Sequence, residues 1–392
     1  MVTPWLSKNP RANRKMPFGR EQQRVINPNG VPELADELKL CPAHKPTPLI
    51  ALPALAERLG IGELIVKDES LRFGFGAFKA LGGVLGVYGE LSSAVGEAYR
   101  VHTNFKEVMD GKHREVTAKY VFSTASSGNH GRAVAAGAKL FGNPCFVFLP
   151  KFTSAEKQAA IEARGAKVIR VDGDYEAAVE ECKRRSAKEG WTIISDTSWE
   201  GYDRTPLKVM RGYTVLVEEV IRQYHKGPTH VFVQAGVGGL AAAVIGYLWA
   251  RYEPRPNFIV VEPESADCWF QSNLAGKPAL ASGDANNHGR SRLPRDLAHH
   301  LAGDRARRRL VHDHHRGPGG ARAQDPRQPA EWRFRHCLRP VRLLGHGGPH
   351  ARLHRPSRLQ GDRSRSRHAR AADQQRGQSR RGQRVAYLLP GR

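Results

Sequence analysis

Between about Pro46 and Pro263, short runs of apolar and β-branched residues alternate with longer stretches whose apolar positions recur every three to four residues. The short runs predict strands at 64–67, 120–123, 145–149, 167–171, 192–195, 230–234 and 257–261. The longer stretches predict amphipathic helices at 77–91, 131–141, 154–164, 175–188, 207–224 and 240–252. Strand–helix alternation at this spacing predicts an α/β fold in which parallel sheets are flanked by helices. Residues 92–119 are polar and weakly periodic, so they read as an insertion or connector. No internal repeat is visible.

Beyond Asn286 the pattern breaks. Residues 287–392 hold 26 Arg, no Lys, 6 Asp and 1 Glu, a net +19 of the chain's +24. The preceding 286 residues are nearly neutral at +5, so the charge does not describe the body. Leu, Val, Ile, Met and Phe make up 15 of the 106 tail residues, a composition that cannot build a core and predicts disorder. A basic RNA-binding arm is one explanation; an out-of-frame translation of a GC-rich gene is the other. Codons permitted for 287–301, read one base later, allow IMAGLACREISPITW, and those for 330–336 allow RSGDSGI. These strings suit a buried helix and a glycine–serine turn, which favours the frameshift.

No run of about 18 apolar residues suggests a membrane span, and the first residues lack the apolar core of a secretory signal. The five cysteines (Cys41, Cys145, Cys182, Cys268 and Cys337) show no metal-binding or disulfide spacing. The expectation is a cytoplasmic protein with no metal, no membrane association and no nucleic-acid partner.

Four segments carry candidate chemistry. In Gly76-Ala77-Phe78-Lys79-Ala80-Leu81-Gly82-Gly83, Lys79 lies just inside a helix start among apolar neighbours. Desolvation and the helix-terminal field there favour the neutral, nucleophilic amine, although an exposed surface lysine fits the same pattern. Ser126-Ser127-Gly128-Asn129-His130-Gly131 joins a strand to an Ala-rich helix, and its backbone N–H groups suit an anion. There Asn129 could donate to a phenolate, His130 serves either as a base or as structure, and Ser127 either carries protons or merely turns the chain. Gln234-Ala235-Gly236-Val237-Gly238-Gly239-Leu240 makes a glycine turn into an apolar helix, a phosphate cradle or simply a tight turn. Asp196, in Asp196-Thr197-Ser198-Trp199-Glu200-Gly201-Tyr202, follows a strand where α/β active sites collect functional groups, or else caps a turn.

The order of these motifs resembles the tryptophan-synthase-β-like, fold type II enzymes that depend on pyridoxal 5'-phosphate. KDES, AFKALGG, DTSWEGY, QAGVGG and VVEPESADC are similar in particular to the diaminopropionate ammonia-lyases, over about residues 45–284. The resemblance implies a two-domain fold: residues 1–91 and 199–286 form the large cofactor domain, 120–198 the smaller one, and 92–119 connect them. It makes Lys79 the lysine that binds the cofactor aldehyde, with Phe78 against the ring. Asn129 would hold the 3′-oxygen, and Gly236, Val237, Gly238, Gly239 and Leu240 the phosphate. Asp196 matches the base for the L-substrate. Ser127 stands where the family carries an aspartate assigned to the D-isomer, and serine there is instead similar to serine racemases and threonine dehydratases. The family also implies an amino-acid substrate, elimination to pyruvate and ammonia, and a homodimer if the native C-terminus is present. A threonine or serine dehydratase, an inactive frameshifted chain and a basic-tail nucleic-acid binder remain alternatives.

Overall fold

The computed structural model describes residues 2–3, 6–10, 12–13, 15–279, 281 and 383–388. The chain opens with β1 (Val2–Thr3), β2 (Leu6–Lys8), α1 (Arg20–Val25), α2 (Gly30–Leu38) and β3 (Leu49–Ala51). Residues 52–64 belong to a second compact unit, whose other residues lie outside those described. Within it, α3 (Pro53–Leu59) begins on a proline suited to a first turn and stops at Gly60, left-handed at φ 68°.

The first unit resumes with β4 (Ile65–Lys67), α4 (Lys79–Tyr99), α5 (Phe105–Met109), α6 (Arg114–Thr117), β5 (Phe122–Ala125), α7 (Asn129–Leu140), β6 (Cys145–Pro150), α8 (Ala155–Glu162), β7 (Lys167–Val171), α9 (Tyr175–Glu189) and β8 (Thr192–Ile193). It continues with α10 (Arg204–Gln223), β9 (His230–Gln234), α11 (Gly239–Arg251), β10 (Asn257–Pro263), α12 (Cys268–Ala275) and β11 (Gln383–Leu388). Every strand and helix expected between 64 and 261 is present, with ends shifted by a few residues. The larger difference is at 92–119, expected to be a connector. There α4 runs on to Tyr99, burying Ala94 and Val95, and α5 buries Phe105 and Val108. The apolar stripe of α4 continues through the polar text, because only one face of a helix needs to be apolar.

Four parallel strands form one sheet in the order β7-β6-β5-β8. Alternation along β6 sends Cys145, Val147 and Leu149 into the main core with α7, and Phe146 and Phe148 to the other face with Ala178 and Cys182 of α9. A second sheet runs β1-β2-β11-β10-β9, with β9 and β10 parallel. Among the described strands, β1/β2, β3/β4 and β10/β11 pair antiparallel. Strand β11 is the only described part of the arginine-rich tail. Its Val385, Tyr387 and Leu388 are β-formers in an otherwise unsuited segment. Both explanations of that tail, and the strings at 287–301 and 330–336, lie outside the described residues.

Helix α4 packs between α7 and α10. Two adjacent glycines permit the approach. A Cβ on Gly83 would lie 2.4 Å from the Ala133 Cβ of α7, and one on Gly82 would lie 2.4 Å from the Tyr213 ring of α10. This packing brings the first turn of α4 to the open ends of the strands.

Candidate active site

The loop between β4 and α4 is pinned before it reaches Lys79. The Asp68 carboxylate accepts the Ser70 N–H at 2.9 Å, and Arg72, wholly buried, donates to Glu69 and Glu219. Phe78 caps α4 and meets Tyr213 edge-on, with ring centroids 5.1 Å apart. Lys79 is the first helical residue, and its Nζ donates to the Asp196 carboxylate in a close ion pair. Lysine and aspartate lie 117 positions apart in sequence.

Asp196 is held by the turn that follows β8. The Tyr202 hydroxyl donates to the Ile193 carbonyl at 2.6 Å and accepts the Ser195 N–H at 3.1 Å, while Trp199 stacks on Tyr202 at 3.9 Å. Burial pushes the Asp196 carboxyl up. The Lys79 charge and hydrogen bond outweigh it and hold the group well below the usual carboxylate range. It is a carboxylate, 16% exposed.

His130, in the first turn of α7, is buried, with Nε2 3.0 Å from the Ile194 carbonyl. A carbonyl can only accept, so in the neutral ring Nε2 carries the proton. Nδ1 then faces Asp196 at 4.0 Å and makes no hydrogen bond among the described residues. Burial lowers the imidazole's affinity for a second proton, so the ring is neutral near pH 7. Sequence left this residue between base and structure; here it ties α7 to the end of β8. The preceding turn leaves no room for a side chain at Gly131, where a Cβ would meet the Ser126 carbonyl oxygen at 2.2 Å. Ser127 is half-buried in that turn and makes no side-chain hydrogen bond among the described residues. Asn129 accepts from Arg132 at 3.3 Å. Neither is hydrogen-bonded to the Lys79–Asp196 pair.

The glycine turn into α11 sits beyond Tyr213. Gly238 caps the helix at φ +96°, a left-handed conformation that suits glycine, and Gly239 begins it. No heavy atom lies within 4 Å of a Cβ built on Gly236, so open space adjoins that position, between Ala235 and Val237. Tyr213 bridges the loops, since its ring lies against both Gly82 and Gly239. Its hydroxyl is buried without a partner among the described residues, and burial, then the charge of Asp196, keeps it protonated well above the ordinary range. The Trp269 indole, whose nitrogen has no hydrogen-bond partner among the described residues, lies over Gly238. Sequence reading missed Tyr213 and Trp269, because a buried aromatic in an apolar run looks like core.

A lysine amine, helix N-termini at α7 and α11, and two buried unpaired donors around one site suit a phosphorylated aldehyde cofactor. Such an arrangement is the kind that a pyridoxal-phosphate enzyme requires. Residues 40–321 match the family described as pyridoxal-phosphate dependent enzyme, and the chain belongs to that family. It is 37% identical over 247 residues to the diaminopropionate ammonia-lyase of Escherichia coli strain K12, covering 62% of this chain and 60% of that protein. The Salmonella typhimurium enzyme of the same name is 36% identical over 267 residues, 66% of each. The crystal structure of holo diaminopropionate ammonia lyase from Escherichia coli superposes with a TM-score of 0.64 at 32% identity, covering 74% of this chain and 72% of that one. The match thus spans about 60% of the length of the Escherichia coli relative. The fold class and cofactor expected from sequence stand on these findings. No described helix is long and apolar enough to cross a membrane.

Proposed function

We propose that the chain is an ammonia-lyase that eliminates the β-amino group of 2,3-diaminopropionate, yielding pyruvate and ammonia. The bound cofactor supplies an electron sink for the carbanion formed at the substrate α-carbon. Lys79 would hold it through its amine, Asn129 at its 3′-oxygen, Gly236 to Leu240 at its phosphate, with Phe78 beside the ring.

Asp196 would take the α-proton of an L-amino acid, a role supported by the contact of its carboxylate with the Lys79 amine. While Lys79 is charged, the carboxylate is a poor base. Once that amine is engaged and uncharged, the carboxyl loses its main stabilising neighbour and becomes a better proton acceptor. Neutral His130 holds the strand end that carries Asp196 and adds no competing cation. Ser127, with no carboxylate, offers no equivalent base on its side of the site, so the L-isomer is the preferred substrate.

The Lys79–Asp196 pair carries this reading, supported by the ammonia-lyase relatives. The experiment is to measure ammonia and keto-acid yields from L- and D-diaminopropionate, L-serine and L-threonine. Two equivalents of ammonia per pyruvate, fastest from L-diaminopropionate, are expected. Preferential turnover of threonine or serine, with one ammonia per keto acid, would make the chain a dehydratase.

A further inference from the structure

Near the start of α11 there is a buried polar group whose purpose neither the fold nor the motifs explain. Trp269 is 9% exposed, and its indole nitrogen is occluded from solvent without any hydrogen bond among the described residues. The ring lies on the glycine turn, so a Cβ on Gly238 would fall 2.9 Å from the indole nitrogen and 2.8 Å from Cζ2. The residue is positioned by other groups. Trp269 N–H and Phe270 N–H each donate to Glu262 at 2.9 Å, and Cys268 Sγ donates to the Gly236 carbonyl at 3.5 Å. Helix α12 is thereby clamped both to β10 and to the glycine turn, leaving the indole N–H uncommitted.

We propose that the Trp269 indole N–H is a side-chain donor to the phosphate held at the start of α11. This rests on the reading that the site binds pyridoxal phosphate. No lysine or arginine occurs between Gln234 and Leu240, and no side chain caps the helix at Gly238. That segment itself therefore offers an anion only backbone N–H groups, supplemented by whatever donors adjoin them. A buried indole N–H left without a partner is destabilising, and an oxyanion there removes the deficit. The space beside Gly236 leaves room for it.

The test compares pyridoxal phosphate with pyridoxal, which lacks the phosphate, in titrations followed by ligand absorbance. Trp269→Phe keeps the packing and deletes the donor. It is expected to weaken pyridoxal phosphate roughly tenfold to hundredfold while leaving pyridoxal within about twofold. Unchanged affinity for pyridoxal phosphate, or equal losses for both ligands, would overturn the proposal. If that variant does not fold, the unaltered chain labelled with 15N-tryptophan answers instead. Its six indole N–H resonances are assigned through variants of the other tryptophans. Inorganic phosphate should move that of Trp269 and be displaced by pyridoxal phosphate; an unmoved Trp269 resonance contradicts the idea. Failure of the unaltered chain to bind pyridoxal phosphate at all would instead remove the functional reading beneath it.

Discussion

Two buried ion-pair clusters in the same unit differ in how completely they are satisfied. Around Arg72, the guanidinium makes a two-pronged contact with Glu219 at 2.7 Å on each arm and a second with Glu69 at 2.7 and 2.8 Å. Lys67 reaches Glu219 at 2.7 Å, and the Thr47 backbone N–H and hydroxyl complete the carboxylates' partners. Around Lys79, the ion pair to Asp196 is the only side-chain hydrogen bond of either group among the described residues, where His130 Nδ1 and the Tyr213 hydroxyl are both unpaired; the Arg72 cluster leaves one such atom, Nδ1 of His44 beside Glu219. Saturated charge fixes a loop and leaves nothing with which to react. Unsaturated charge costs stability and keeps groups available to a ligand, which suits the poorly satisfied cluster to the function proposed for it.

The largest expected effect separates the two clusters by activity. Lys79→Ala should lower diaminopropionate turnover by at least about ten-thousandfold. Its stability cost should be only about 1–2 kcal/mol, since Asp196 can take up a proton. Comparing turnover with urea unfolding of the same protein checks both halves. Arg72→Met is the converse, leaving Glu69 and Glu219 buried without their main partner. It should cost about 3–5 kcal/mol in the same unfolding experiment. A stability loss no greater than that of Lys79→Ala would erase the distinction.

Asp196→Asn sharpens the comparison from within the active cluster. L-diaminopropionate turnover should fall by about a hundred- to ten-thousandfold, with cofactor absorbance retained. Retained turnover would clear Asp196 as the base. The smallest effect concerns a further buried carboxylate, Glu262, whose hydrogen bonds come from the Trp269 and Phe270 N–H groups, with the Cys268 thiol sharing its one proton between it and the Gly236 carbonyl and no cation among them. Burial pushes it from its ordinary 4.5 up to about 7, against the lowering effect of those bonds. The folded chain then holds a proton that the unfolded chain has released between those values. This contribution to stability is full below about pH 4.5 and fades as the pH rises through 7. Glu262→Gln should flatten that part of the stability–pH curve relative to the unaltered chain; parallel curves would contradict it.

These clusters also mark where sequence was informative. The strands 167–171 and 230–234 were legible to the residue because turn residues bound apolar runs. Lys79, Asp196 and the glycine turn were legible through the order of their motifs, while the contact between Lys79 and Asp196 had to await the fold. The Arg72 cluster was invisible, since a charge pattern alone reads as surface, and only packing brings Glu219 to a residue 147 positions away. Tyr213 and Trp269 were hidden for the opposite reason, as aromatics in apolar helices whose polar tips reveal themselves only by lacking partners. The end of α4 was misplaced because its apolar stripe narrows across Ser92 and Ser93 before it resumes at Ala94 and Val95.

The most direct test of the central claim is chemical. The chain loaded with pyridoxal phosphate is reduced with borohydride, digested, and its peptides are weighed. The account predicts a phosphopyridoxyl group on the peptide containing Lys79 and on no other; a label on a different lysine, or none, would contradict it.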